Sequence, residues 1–226
     1  MSIQKKGNGF MPFPLSIMMK LYLVRHGQST GNVGNLHQNK LTPLSDHGRH
    51  QAGILAKRFH TIPVDVILAS PYARAFETAE IIGKEVGQSV EKNELLRELK
   101  RPTIIEGKMI TDPISIAVNE MIKTNAHDTN WHYADEENIS ELLARARTFL
   151  ESLDARSEKR ILAVSHGRLI QALVEHVILG DALTPHLFEE MKERIYMTNT
   201  GITVLEKNAT GWHLVTWNDN AHLGNI

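Results

Sequence analysis

Residues Leu21–Asn32 read LYLVRHGQSTGN. An apolar run stops abruptly at an arginine, a histidine and a glycine. A short continuous run of this kind suits a strand buried on both faces of a parallel sheet. Its end would place Arg25, His26 and Gly27 at the carboxyl edge of that sheet, where open α/β folds bind ligands. A single histidine after a strand reads as structural. The pattern gains meaning because it recurs downstream.

Val64–Ala69 is a second apolar run, and Ser70-Pro71-Tyr72-Ala73-Arg74 follows it. Ile161–Val164 is a third, followed by Ser165-His166-Gly167. Ile202–Leu205 and Trp212–Trp217 flank the turn-like KNATG and predict an antiparallel hairpin. Helical spacing of apolar residues covers Asp46–His60, Pro71–Val86, Glu136–Leu153 and Arg168–Leu179. Ser70 is the expected N-cap of the second of these, with Pro71 at its first position. Alternating strands and helices predict a three-layer α/β/α fold. Its central sheet is expected to be mostly parallel with one antiparallel edge strand. Residues 19–226 read as a single domain. Within it, about 100–135 is rich in Pro, Thr, Asn and His and reads as a small cap insertion. Residues 1–18 read as a flexible N-terminal extension. They imitate a secretion signal weakly, but Pro12 and Pro14 interrupt the apolar part and no small-residue cleavage site follows.

The composition narrows the function classes. The 226 residues contain 25 Lys plus Arg against 26 Asp plus Glu, so the basic excess of a nucleic-acid binder is missing. There is no cysteine, which removes disulfides, thiolate metal sites and a cysteine nucleophile, and favours a cytoplasmic setting. No apolar run is long enough for a membrane-spanning helix. A homodimer is the generic expectation for oligomeric state.

Three strand ends thus deliver two histidines and two arginines to one edge. Helix N-termini there add N–H groups that favour an anion. Two guanidiniums match a phosphate dianion through their bidentate forks. A neutral imidazole among them can attack phosphorus and hold the group covalently. Phosphoryl transfer asks for little beyond such positioning and charge. A proton donor for the leaving oxygen is also needed. Glu98 in NELLRELKRP is the first candidate and Glu106 in IIEGK the second.

These residues resemble the histidine phosphatase superfamily, the phosphoglycerate mutase-like family, over about Leu21 to Leu223. Arg25-His26-Gly27 is similar to its signature. LTPLSDHGRHQA (Leu41–Ala52), SPYARAFETAE (Ser70–Glu80), SHG (Ser165–Gly167) and NTGITVLE (Asn199–Glu206) are similar to its later blocks, in the same order. The resemblance implies His26 as the phosphorylated nucleophile. It implies Arg25, Arg74 and His166, with Asn32 and Gly167, as the phosphate grip, and Glu98 as the acid. It also implies no metal or other cofactor, and a small phosphorylated substrate. Two departures shape the expectation. Gly167 follows the second histidine where the phytase-like branch has an aspartate. Leu99-Lys100-Arg101-Pro102 follows Glu98 where mutases carry Arg and a Tyr-Gly stretch. A metal-independent phosphatase is therefore expected ahead of a phosphoglycerate mutase-type phosphotransferase, and both ahead of a non-catalytic phospho-ligand-binding regulator. Asn32 reads equally as a turn residue. Lys100, Arg101, Lys108, Trp131 and Tyr133 read first as a solvated cap face and second as contacts to the substrate's organic portion.

Overall fold

The computed structural model describes residues 17–126, 128–192 and 194–224, so the expected extension lies almost wholly outside it. In chain order the elements are β1 (Met19–Arg25), α1 (Thr30–Val33), α2 (Asp46–Phe59), β2 (Val66–Ala69), α3 (Ala73–Val86) and β3 (Val90–Lys92). Then come α4 (Pro113–Asn125), α5 (Ile139–Ser152), β4 (Arg160–Ser165), α6 (Gly167–Leu179), α7 (Pro185–Met191), β5 (Ile202–Asn208) and β6 (Gly211–Asp219). The sheet order is β3-β2-β4-β1-β5-β6. Pairing is parallel from β3 through β1, and antiparallel where β5 meets β1 and β6. The expected hairpin supplies that antiparallel edge.

Alternation along the strands divides the core. Leu21, Leu23, Ile161, Ala163 and Leu68 face α5 and α6, packing with Leu142, Phe149, Leu169 and Leu173. Val24, Ile67, Ala69, Leu162 and Val164 face α2 and α3, packing with Leu55, Phe59, Ala75 and Ile82. Both faces of the central strands are therefore covered, which is why these runs are apolar at every position.

Register fixes where the strand ends meet. Ala69 pairs with Val164, and Val24 with Val164, while Arg25 pairs with Ser165. The ends of β2, β4 and β1 thus lie side by side, with β4 in the middle. Parallel strands stand about 4.8 Å apart, so residues one step beyond them come into contact range.

Three expectations need correction. First, α3 begins at Ala73, with Tyr72 as N-cap and no side-chain cap. Ser70, Pro71 and Tyr72 precede the helix, and the Ser70 hydroxyl accepts from the Tyr72 amide at 3.2 Å in a turn before it. Second, β3 was not visible in the sequence: its three residues, Val-Glu-Lys, are mostly exposed and carry no apolar signal. Third, β2 starts at Val66 rather than Val64, since Asp65 turns its carboxylate to the Lys159 and Arg160 amides. Within 100–135, α4 starts as its sequence dictates, with Asp112 capping the Ile114 amide and Pro113 in the first turn. This stretch is stitched to the loop after α1 by three backbone bonds: His37 N to Lys108 O, Gly107 N to His37 O and Ile110 N to Asn35 O. No helix among the described residues is long and apolar enough to cross a membrane.

Candidate active site

His26 follows β1 directly and is 3% exposed. Its backbone is held on both sides: its amide donates to Ser165 O at 3.0 Å, and its carbonyl accepts from Asn199 Nδ2 at 2.9 Å. The ring Nδ1 lies 2.7 Å from Gly27 O. A carbonyl only accepts, so Nδ1 carries the proton and Nε2 presents a lone pair. Arg74 Nε donates to that Nε2 at 3.2 Å. Burial, then the charges of Arg74 and Arg25, hold the His26 pKa well below the usual imidazole value. The ring is neutral with its free nitrogen set among cations.

His166 caps α6 and is fully buried. Its ring lies 5.1 Å from that of His26, centroid to centroid, as the β1–β4 pairing requires. Nε2 meets Ser70 Oγ at 2.7 Å, the same oxygen that accepts from the Tyr72 amide. Nδ1 is buried and makes no hydrogen bond. Burial and Arg74 push its pKa down in the same way.

The arginines enter from two sides. Arg74 lies in the first turn of α3, and its Nη1 donates to Asn39 O at 3.0 Å. Burial lowers its pKa to about 10, so it stays charged at neutral pH. Arg25 donates from Nη1 to Met197 O, while its Nε is buried without a partner. Gly167 lies against that Nε: a Cβ there would sit 3.7 Å from it. Neither arginine forms an ion pair among the described residues.

Glu98 sits beyond the 3-10 turn Glu94–Leu96 and faces both arginines electrostatically. Its Oε1 accepts from its neighbour Leu99 N at 2.9 Å, and its Oε2 from Arg168 N at 3.3 Å in the first turn of α6. The segment is anchored by Glu137, which takes bidentate bonds from Arg97 and from Arg145. Arg145 Nη1 also donates to Leu95 O and Arg97 O. Glu106, the second candidate, closes the 3-10 turn Thr103–Ile105, its amide donating to Thr103 O.

Asn32 forms a capping box with Ser29, its Oδ1 accepting from Ser29 N at 3.0 Å. The oxygen is thus committed to α1, leaving its NH2 group for a ligand. Gly27 has a packing reason to be glycine: a Cβ there would fall 2.5 Å from Gly48 O, so its absence lets the chain after β1 pack against α2. Thr78, one turn after Arg74, was not foreseen. It accepts from Gly27 N at 3.1 Å and donates to Arg74 O at 2.7 Å, tying the segment after β1 to the first turn of α3. Asn199 was legible only as part of a block. Among the described residues no group of three or more His, Asp or Glu side chains gathers in a metal-binding arrangement.

Fold and site together define an α/β protein with two buried histidines and two arginines gathered at one edge of its sheet. A family model, the histidine phosphatase superfamily (branch 1), matches residues 21–220. A relative from Hydrogenobacter thermophilus named "Putative phosphoserine phosphatase 2" is 31% identical over 206 residues, spanning 91% of this chain and 98% of its own. "Probable phosphoglycerate mutase GpmB" from Erwinia tasmaniensis is 30% identical, spanning 91% and 95%. The solved structure of a mycobacterial glucosyl-3-phosphoglycerate phosphatase with VO3 superimposes with a TM-score of 0.74 at 26% identity, spanning 89% of this chain and 100% of that one. The chain belongs to the histidine phosphatase superfamily.

Proposed function

We propose that this chain hydrolyses a small phosphomonoester through a phosphohistidine on His26, without a metal. The observation that carries the reading is the His26 tautomer: Nδ1–H is fixed on Gly27 O, and the Nε2 lone pair is aimed among cations. Arg25 and Arg74 take the phosphoryl oxygens, with the orphaned His166 Nδ1, the Asn32 amide and the backbone at Gly167 completing the grip. Nε2 attacks phosphorus while the bond to the leaving oxygen breaks and Glu98 delivers a proton to that oxygen. Water then attacks the phosphohistidine, Glu98 takes its proton, and the N–P bond breaks to release phosphate. The Gly27 carbonyl supports the positive charge on the ring while phosphorus is attached.

The 100–135 segment acts as a cap within a single domain, and the departures after Glu98 favour hydrolysis over mutase chemistry. The cysteine-free composition supports a cytoplasmic setting, and a homodimer is the generic assembly. The first substrates to try are phosphoserine and 3-phosphoglycerate, because relatives carry those names. The test uses a chromogenic aryl phosphate in EDTA, with acid quenching to trap an acid-labile phosphoenzyme. Turnover that disappears in His26→Ala supports the reading. Undiminished turnover in that variant overturns it. Conversion of 3-phosphoglycerate to 2-phosphoglycerate faster than phosphate release would favour the mutase instead.

A further inference from the structure

Ser70 directly follows β2, is fully buried, and opens the Ser-Pro-Tyr step that leads into α3. Its backbone is fixed to β4, the amide donating to Val164 O at 3.0 Å. Proline has no N–H, so the next amide that can reach back to the Ser70 hydroxyl belongs to Tyr72, and it does so at 3.2 Å. Among the described residues that hydroxyl has one other hydrogen-bonding neighbour, His166 Nε2 at 2.7 Å.

These two contacts decide the direction of the second. An amide only donates, so the Tyr72 N–H takes a lone pair of Ser70 Oγ and leaves the hydroxyl proton unspent. A buried hydroxyl proton needs an acceptor, and His166 Nε2 is the one in reach. Nε2 therefore accepts. The ring is neutral, since burial and then Arg74 hold its pKa well below the usual imidazole value. A neutral imidazole carries a single proton, which is then on Nδ1. The opposite tautomer would leave the Ser70 proton without an acceptor. The Tyr72 ring packs against the imidazole at 5.3 Å, centroid to centroid, and holds its plane.

The two histidines thus share a tautomer and are anchored at opposite ends. His26 is held at Nδ1 by Gly27 O and keeps an Nε2 lone pair. His166 is held at Nε2 by Ser70 and keeps an Nδ1–H that is buried and unpartnered, in a ring that feels the charges of Arg74 and Arg25. One ring is set to attack and the other to donate.

We propose that Ser70 is a positioning residue for phosphoryl binding: its hydroxyl proton holds His166 in the Nδ1–H form, so that the ring donates to a phosphoryl oxygen. Without the hydroxyl the ring is free to carry its proton on Nε2 and to turn a lone pair toward the anion, which repels it. The proposal rests on the phosphatase reading above.

The test begins with the native chain. Long-range proton–nitrogen correlation spectra of the full-length, 15N-histidine-labelled protein, with His166→Asn to assign the signals, are expected to show His166 protonated at Nδ1 and bare at Nε2. A bare Nδ1 overturns the proposal. Kinetics follow with a chromogenic aryl phosphate as substrate and inorganic phosphate as inhibitor. Ser70→Ala is expected to raise both the KM and the phosphate inhibition constant by roughly 10- to 100-fold, the range for a hydrogen bond to a charged group. The change in kcat is expected to stay below about threefold, since the contact serves the bound ester and the transition state alike. His166→Asn places an amide able to donate near the Nδ1 position without help from Ser70, so adding Ser70→Ala to it should cost nothing further. Native phosphate inhibition in Ser70→Ala, or an equal loss in the His166→Asn background, would overturn the proposal while leaving the phosphatase reading intact. Failure of the native chain to turn over the aryl phosphate would overturn both.

Discussion

At the residue scale, the two buried histidines make stability and activity depend on pH in a stated direction. His26 and His166 both have folded pKa values well below 6.5. As pH falls through 6.5, the unfolded chain takes up protons at these two sites while the folded chain does not. Their contribution is therefore favourable above that value and is lost toward acid, by roughly 2 kcal/mol for the pair between pH 6.5 and 5.5. Urea midpoints at the two pH values measure this, and the His26→Gln, His166→Gln double variant should show a flatter dependence. An equally steep double variant would sink the assignment. Because the same shift keeps the His26 lone pair free, the acid limb of kcat/KM should lie below 6.5. The residues themselves were legible, since each directly follows an apolar run or opens the next helix. Their roles within the pocket were less so. Nothing in the letters says that the Ser70 hydroxyl meets His166, or that Gly27 is small because of Gly48. Those facts depend on register between strands far apart in sequence.

Elements place Glu98, and here the sequence was quiet. Glu98 lies on irregular chain between β3 and the 100–135 segment. Its position depends on Arg145 of α5, whose guanidinium reaches back to the carbonyls of Leu95 and Arg97 while forming a double bond pair with Glu137. Helical periodicity located α5, but nothing in that periodicity marks Arg145 as the residue that reaches back to this segment. Replacing it strands the Glu137 carboxylate, which is 6% exposed, and frees two carbonyls. Arg145→Met should therefore cost about 3 kcal/mol of stability. It should also lower kcat by roughly tenfold, with a smaller change in KM, since the phosphate cradle stands on β1, α3 and α6. Chemical denaturation and steady-state kinetics on one preparation separate the two effects. A variant that loses stability but keeps native kcat would show that Glu98 holds its place without this clamp. Apolar runs and helical spacing recovered five of the six strands and four helices. They missed β3, whose charged residues give no pattern, the short helices α1 and α7, and α4, which lies in the stretch read only as a cap insertion.

The C-terminal turn is tied to the backbone of His26, the proposed nucleophile, by a chain of hydrogen bonds across the whole molecule. Arg58 of α2 pairs with Asp219 at the end of β6 and donates toward His222 Nδ1 at 3.3 Å. That nitrogen must accept, so His222 carries its proton on Nε2, which lies 3.2 Å from Thr200 Oγ1. The Thr200 hydroxyl passes its own proton to Asn199 O at 2.7 Å. Thr200 holds a positive φ of 59° and donates its amide to Arg25 O at 2.9 Å, while Asn199 holds the His26 carbonyl. A chain of aligned donors thus runs from α2 through the last turn to the backbone beneath His26. It joins segments some 170 residues apart in sequence, as the Asn199–His26 bond itself does, which is why no local pattern announced it. His222→Ala should lower kcat by roughly three- to tenfold with KM for phosphate esters nearly unchanged, because the loss is of backbone position and not of a ligand contact. Burial and Arg58 bring the His222 pKa down to about 4, so the ring stays neutral and the contact persists until pH falls to that value. Thr200→Val removes the same link from the other end, and a double variant should then be no worse than either single one. Additive losses in that cycle would mean that His222 and Thr200 act separately, and that the C-terminal turn does not reach the nucleophile through this route.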